Sequence, residues 1–353
     1  MTQAQDAEGH FKSAPTTSER IRADAKAAPL AMRFDGSTPD DLAEWQKKFG
    51  SQLKSLLGPH RPPEEWETIV EHRQEFDDFV RERLVLKAEG HSDLPLYRLL
   101  PNPLPEKPCP GAVAIHGHSG VFPVVGLREA EGKLEEAPPN HYDYGRDLAR
   151  RGYIVVAPCM TPFHPREPRE GYPAGSDRCA VTFVRMQLLG KLLIAENLRD
   201  CLWCVEMLAQ DARVDAERLG CLGLSYGGRM TMLTTALEPR IRVAAISGAA
   251  NVMQERIQLR YSCGAQVIPG LLQYGDVPEI GSLIAPRPCV WEIGSRDGLI
   301  DPNWANEAMQ RIDRAYRAAG AADNLYVDRF EGGHIFHGKV TYPLFDKILR
   351  PGK

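Results

Sequence analysis

Leu219-Gly220-Cys221-Leu222-Gly223-Leu224-Ser225-Tyr226-Gly227-Gly228 decides how the rest of the chain is read. A short apolar run leads into Gly-x-Ser-x-Gly, and Arg229 to Leu237 continue as a helix-compatible segment. Strand, tight turn and helix in that order are what a nucleophile elbow requires, with the serine hydroxyl held above the end of a parallel sheet. Gly223 and Gly227 stand two positions either side of Ser225, where a Cβ would crowd a chain that folds back on itself. The pentapeptide alone is a weak signal, compatible with an ordinary turn. Its flanks make Ser225 a candidate nucleophile.

A serine hydroxyl needs a histidine to take its proton and a carboxylate to orient that histidine. Behind an elbow of this kind the partners follow in the order acid, then histidine. After the β-rich run Cys289 to Ile293 comes Gly294-Ser295-Arg296-Asp297-Gly298-Leu299-Ile300-Asp301-Pro302, which offers two acids in one loop. Asp301 precedes a proline suited to a first helical position, so it reads as an N-cap. Asp297, nearer the strand end, is the expected orienting acid, and Asp276 is a more distant third. Phe330-Glu331-Gly332-Gly333-His334 follows the last strand-like run, and its paired glycines allow the sharp loop that returns His334 to the serine. His337, three residues on, is expected to be a packing or rim residue. The oxyanion donors expected are the backbone amides of Tyr226 and of the 117–119 loop, with His118 chosen there.

Working outward, Gly111 to Ile115 is a continuous apolar run of the kind a doubly buried strand needs, and His116-Gly117-His118-Ser119-Gly120 follows at its carboxyl end. Tyr142 to Arg151 suits a helix and Tyr153 to Ala157 the next buried strand. Residues 158–176, punctuated by proline and glycine, predict a long ordered loop beside the site, and Gln187 to Gln210 predicts one long amphipathic helix. Further short strands are expected at 243–246, 289–293 and 325–327. Arg83 to Lys87 and Leu94 to Leu100 read as an antiparallel hairpin. Together these predict an α/β fold: a mostly parallel sheet of roughly eight strands with helices on both faces. The expected organisation is a flexible tail over 1–28, a helical extension over 29–80 with a second helix after Pro62-Pro63, and a catalytic domain over 81–353. Substrate contacts are expected from Val121, Phe122 and Pro123, and from Val267 to Tyr274.

The chain has 353 residues, 43% apolar and 25% charged, with a net charge of −4, so it builds a sizeable core and presents no basic field for nucleic acid. Met1 to Pro15 hold no apolar run, so neither a signal peptide nor a membrane span is expected, and a cytoplasmic location follows by default. Eight cysteines without framework spacing read as reduced and mostly buried, Cys201 and Cys204 included. His116 and His118 lack an accompanying ligand cluster in the sequence, so no metal is expected there.

The order HGHSG, GCLGLSYGG, GSRDGLID and FEGGHIFHG, over roughly residues 80 to 350, resembles the dienelactone hydrolase and acetyl xylan esterase-like branch of the α/β-hydrolases. The resemblance implies an esterase with a Ser225, Asp297, His334 triad, a small-molecule ester substrate such as an acetylated sugar or small alcohol, and no cofactor or metal. Dienelactone hydrolases proper use cysteine as nucleophile; serine at 225 points to the esterase relatives. An amidase, a peptidase or a lactone hydrolase would use the same triad, and a non-catalytic binding protein would commonly lack one of its members. A homo-oligomer is compatible with the apolar residues near 267–274.

Overall fold

The computed structural model of the chain describes residues 14–167, 177–260 and 262–351. In chain order, helices α1 (Thr17–Lys26) and α2 (Pro39–Leu57) precede strands β1 (Glu67–Glu75), β2 (Phe79–Lys87), β3 (Leu94–Pro101) and β4 (Cys109–Ile115). A short helix α3 (Val121–Val124), the hairpin β5 (Leu127–Ala130) and β6 (Lys133–Glu136), helix α4 (Tyr144–Arg150) and strand β7 (Ile154–Pro158) follow. Then come α5 (Arg178–Leu188), α6 (Leu193–Gln210), β8 (Val214–Leu224), α7 (Tyr226–Leu237), β9 (Ile241–Ser247), α8 (Met253–Leu259) and α9 (Val277–Ser282). The chain closes with β10 (Cys289–Gly294), α10 (Pro302–Ala318), β11 (Leu325–Phe330) and α11 (Thr341–Leu349).

Among the described residues the main sheet has nine strands in the order β1-β2-β3-β7-β4-β8-β9-β10-β11. From β7 to β11 along this order the strands pair in parallel, whereas β1, β2 and β3 are antiparallel to their neighbours. The parallel strands are apolar on both faces because both faces are covered. Val113 and Ile115 of β4, Cys221 of β8, Ala244 and Ile246 of β9 and Trp291 of β10 join a core with residues of α2, α6, α7, α9 and α10. The alternate residues Ala112, Ala114, Leu222, Val243, Ala245 and Val290 join a second core with α3, α4 and α11. At roughly 1.5–3 kcal/mol for each large apolar side chain removed from water, these two layers hold the strand ends in fixed register.

Three elements differ from the sequence-based expectation. Residues 17–26 form α1 rather than a flexible tail. Thr16 and Glu19 make a reciprocal capping box, Ala25 is buried, and Gln254 of α8 donates to the Ala25 carbonyl at 3.0 Å. Small alanines let the helix approach closely, which a search for large apolar residues overlooks; residues 1–13 lie outside the described residues. The second expected helix, after Pro62-Pro63, is instead β1, an almost fully exposed edge strand. Its polar residues face charges on the neighbouring strand, Arg73 to Glu82 at 2.6 Å and Glu71 to Arg83 at 3.0 Å, so the sheet starts at residue 67 rather than near 81. The single helix expected over 187–210 is two, α5 and α6, broken at Gly190, whose φ of 66° is outside the helical range. The 168–176 part of the expected long loop lies outside the described residues. No helix among those residues is long and apolar enough to cross a membrane.

Candidate active site

Ser225 sits between β8 and α7 with φ 65° and ψ −121°, one of the few non-glycine residues at positive φ. Such a conformation costs on the order of 1–3 kcal/mol and persists because its surroundings over-determine it. The Ser225 amide donates to the Ser247 carbonyl at 2.9 Å, and its own carbonyl accepts from Arg229 at 3.0 Å, starting the helix. The steric reason for the flanking glycines is direct. A Cβ at Gly227 would lie 2.0 Å from the Ile115 carbonyl oxygen, and one at Gly223 would lie 2.6 Å from the Gly227 carbonyl. One at Gly117 would lie 2.9 Å from the Leu224 carbonyl oxygen, so only glycine lets the loop after β4 close on the elbow.

His334 Nδ1 lies 2.7 Å from Asp297 Oδ2, while Asp297 Oδ1 accepts the Leu299 amide at 2.9 Å. Asp297 is buried at the carboxyl end of β10, and the other ring nitrogen, His334 Nε2, is buried without a hydrogen-bond partner among the described residues. Ser225 and His334 line one cavity of about 400 Å³, together with His118 and Tyr226. The loop carrying His334 is clamped from several sides. The buried carboxylate of Glu292 on β10 accepts the His337 and Gly338 amides, each at 2.9 Å, and the Thr341 hydroxyl at 2.7 Å. Tyr142 donates to the His334 carbonyl at 3.0 Å and Ser247 to the Ile335 carbonyl at 3.2 Å.

A second histidine-carboxylate pair has the same geometry: His337 Nδ1 is 2.7 Å from Asp328 Oδ2, with the imidazole stacked on Phe330. It is not at the Ser225 cavity, so location rather than pair geometry separates the two. Asp301 accepts the Asn303 amide at 2.9 Å as the N-cap of α10. Asp276, the third candidate acid, is buried and accepts the amides of Met253, Gln254 and Val277 while capping α9; burial pushes its carboxyl up.

His116 is a structural histidine. The Met160 amide donates to its Nε2 at 3.0 Å, which leaves the proton on Nδ1 to be donated to the Gly117 carbonyl at 2.7 Å. Burial holds its pKa down at about 4, so it stays neutral and fastens the loop after β7 to the loop after β4. The side chain of His118 is exposed beside Phe163 and Tyr226 and points toward Cys263. The Tyr226 hydroxyl accepts from Asn197 at 2.7 Å, which fixes the residue whose amide opens α7. Cys179 hydrogen bonds to Cys263, which holds the Cys263 thiol below the usual range and the Cys179 thiol above it. Cys201 and Cys204 are buried in α6, and burial pushes both thiols well up.

Val121 and Phe122, expected as substrate contacts, do not line the Ser225 cavity. Val121 is buried in the second core, and Phe122 packs against Tyr97 and His164. Val267 to Gln273 line a separate, apolar cavity of about 490 Å³ floored by Met232, Leu233 and Met253. Arg229 borders both cavities and was missed in the sequence reading. It lies one helical turn beyond Ser225, and the signal available was a lone cation in a helix of otherwise small and apolar residues. Its guanidinium is buried, and Nε and Nη1 have no hydrogen-bond partner among the described residues. Burial is the main cause that lowers its pKa to about 10, with Asp276 opposing the shift and Arg256 adding to it, so it remains a cation at neutral pH. Arg256 of α8 and Arg260 just after it line the same cavity and donate to the carbonyls of Leu299 and Gly298.

Comparison with known proteins agrees with this architecture. The prolyl oligopeptidase family (peptidase family S9) matches residues 189–261, the segment that contains the elbow. The Bacillus subtilis (strain 168) protein YtaP, assigned as a hydrolase, is 30% identical over 290 residues, covering 80% of this chain and 92% of that protein. A Bacteroides fragilis NCTC 9343 structure assigned as an acetyl xylan esterase superposes with a TM-score of 0.81 at 16% identity, covering 98% of this chain and 97% of the other. A glucuronoyl esterase of Teredinibacter turnerae T7901 superposes with a TM-score of 0.60 at 18% identity, covering 92% and 89%. With the elbow at the carboxyl end of β8 and a relative matched over most of both sequences, the chain belongs to the α/β-hydrolase superfamily.

Proposed function

We propose that the protein hydrolyses carboxylic esters through an acyl-enzyme on Ser225. The observation that carries this reading is the shared cavity. Ser225 and the unpartnered Nε2 of His334 face the same space, and Asp297 holds the opposite ring nitrogen. Ser225 Oγ attacks the ester carbonyl carbon and its proton passes to His334 Nε2, while Asp297 keeps the Nδ1 proton in place and stabilises the imidazolium. The carbonyl oxygen becomes an oxyanion held by the Tyr226 and His118 amides. Collapse expels the alcohol, which takes the proton from His334. Water then attacks the acyl carbon with His334 again as base, and the acid leaves. The structural neighbour assigned as an acetyl xylan esterase supports a small acyl group, such as acetyl, carried by a sugar or small alcohol. Incubation with a fluorophosphonate should label Ser225 and abolish ester hydrolysis together; active protein whose Ser225 stays unlabelled would overturn the reading.

The arginines add a preference. A buried guanidinium with two donors unused, reinforced by Arg256 and Arg260, favours a substrate that also carries a carboxylate, since hydrogen bonds to charged groups contribute about 1.5–3 kcal/mol. Comparing esters of equal shape with and without a free carboxylate, kcat/KM should favour the anion by roughly 10- to 100-fold, and Arg229→Met should remove most of that ratio. A ratio unchanged by Arg229→Met would exclude the guanidinium from substrate recognition.

A further inference from the structure

Beside the catalytic cavity lies a group of soft donors that the esterase chemistry does not use, two of them, His118 and Cys263, on its lining. His118 follows β4, Cys179 lies in the first turn of α5, and Cys263 opens the short 3-10 turn Gly264–Gln266. One ligand atom from each, an imidazole nitrogen and two sulfurs, lie within 4.8 Å of one another. Two close packings bring them there. A Cβ at Gly264 would lie 2.8 Å from Phe183 Cβ and 3.0 Å from the Cys179 carbonyl oxygen, so the turn carrying Cys263 is pressed onto α5 where only glycine fits. The His118 ring is held at 5.6 Å from both Phe163 and Tyr226, on the side of the cavity that Cys263 also lines. Cys263 Sγ already acts as an acceptor, taking the Ala265 amide at 3.3 Å.

We propose that His118, Cys179 and Cys263 form a binding site for a thiophilic divalent cation, with zinc as the reference ion, and that its occupation inhibits the hydrolase. Zinc bound to two thiolates at about 2.3 Å and one imidazole at about 2.0 Å requires its donors roughly 3.5–3.8 Å apart, a contraction of at most about 1.3 Å from the observed limit. Two thiolates and an imidazole are a soft set that selects zinc or monovalent copper over magnesium or calcium. The neighbouring arginines do not forbid the cation, because the two thiolates cancel its charge. Three protein ligands leave the fourth tetrahedral position for water or a substrate oxygen. As His118 and Cys263 line the Ser225 cavity, that position opens into the space the ester must occupy. The metal is therefore an inhibitor and not a reactant, and the apo enzyme is the active form.

Binding is tested separately from hydrolysis, so failure of the esterase reading leaves it intact. Reduced, metal-free full-length protein titrated with cobalt should take up one ion per chain and develop a thiolate-to-cobalt charge-transfer band in the near ultraviolet, which zinc then displaces. Cys179→Ser, which lies outside the lining of the catalytic cavity, should lose most of that band and bind zinc at least 10-fold more weakly while folding as wild type by circular dichroism. In the ester assay, zinc should inhibit wild type reversibly, EDTA should restore full rate, and Cys179→Ser should need correspondingly more zinc. Absence of the band in the reduced wild type, or equal zinc affinity in Cys179→Ser, would overturn the site. Stoichiometric binding without loss of rate would overturn the inhibition.

Discussion

Ser225→Ala should lower kcat for an activated ester by about a million-fold while leaving the melting temperature nearly unchanged. The size follows from cooperation: removing the nucleophile of a serine hydrolase costs as much as removing the whole triad, on the order of 10⁶ in kcat. The fold should tolerate the change because the hydroxyl caps nothing and is not among the groups that hold the elbow. Those are backbone bonds, from the Ser225 amide to Ser247 and from Arg229 to the Ser225 carbonyl, and alanine keeps both. Alanine also tolerates the positive φ no worse than serine does. A folded variant that retains a few per cent of the activity would remove Ser225 from the mechanism and leave the elbow as a structural turn.

Asp297→Asn should lower kcat by roughly four orders of magnitude, because an amide presented to Nδ1 selects the wrong imidazole tautomer for a base at Nε2. Asparagine keeps the oxygen that accepts the Leu299 amide, so stability should change little. The contrast lies four residues further on. Asp301 accepts the Asn303 amide as a helix cap, asparagine caps about as well, and Asp301→Asn should be nearly silent; Asp301→Ala should lose about 1 kcal/mol of stability with little change in kcat. Measuring kcat and melting temperature for the three variants separates the roles. If Asp301→Asn were the inactive one, the carboxylate that orients His334 would have been misassigned.

The elbow, the two loops that face it and the buried strands along the chain were legible in the sequence because each is fixed locally. Gly-x-Ser-x-Gly needs its glycines for steric reasons, and a strand covered on both faces must be apolar throughout. Asp301 was separable from Asp297 by the proline after it. What escaped was decided by distant partners. β1 is polar and reads as neither strand nor core until β2 supplies its ladder and charges. α1 lacks large apolar groups and is held by a capping box and by Gln254, more than two hundred residues away. The cavity wall built from Arg229, Arg256 and Cys263 joins α7, α8 and a short turn whose proximity no local pattern encodes. Val121 and Phe122 follow the 117–119 loop in sequence, but their apolar side chains turn into the core and against Tyr97, where burial is favourable, and not into the cavity.

The glycines around the site have a consequence for how this enzyme can change. An added carbon at Gly117, Gly223, Gly227, Gly228, Gly248 or Gly294 would meet another atom at 2.9 Å or less, most often backbone or, at Gly248, the His334 ring itself. The floor that holds Ser225, His334 and the 117–119 loop together is thus packed main chain against main chain, and inherited variation there has almost nowhere to go. One wall of the cavity is made of long side chains, Arg229 of α7 and Arg256 of α8, which can be exchanged without moving that floor. New substrates are therefore open to this scaffold through one wall, while its reaction is held constant by six positions that accept no side chain.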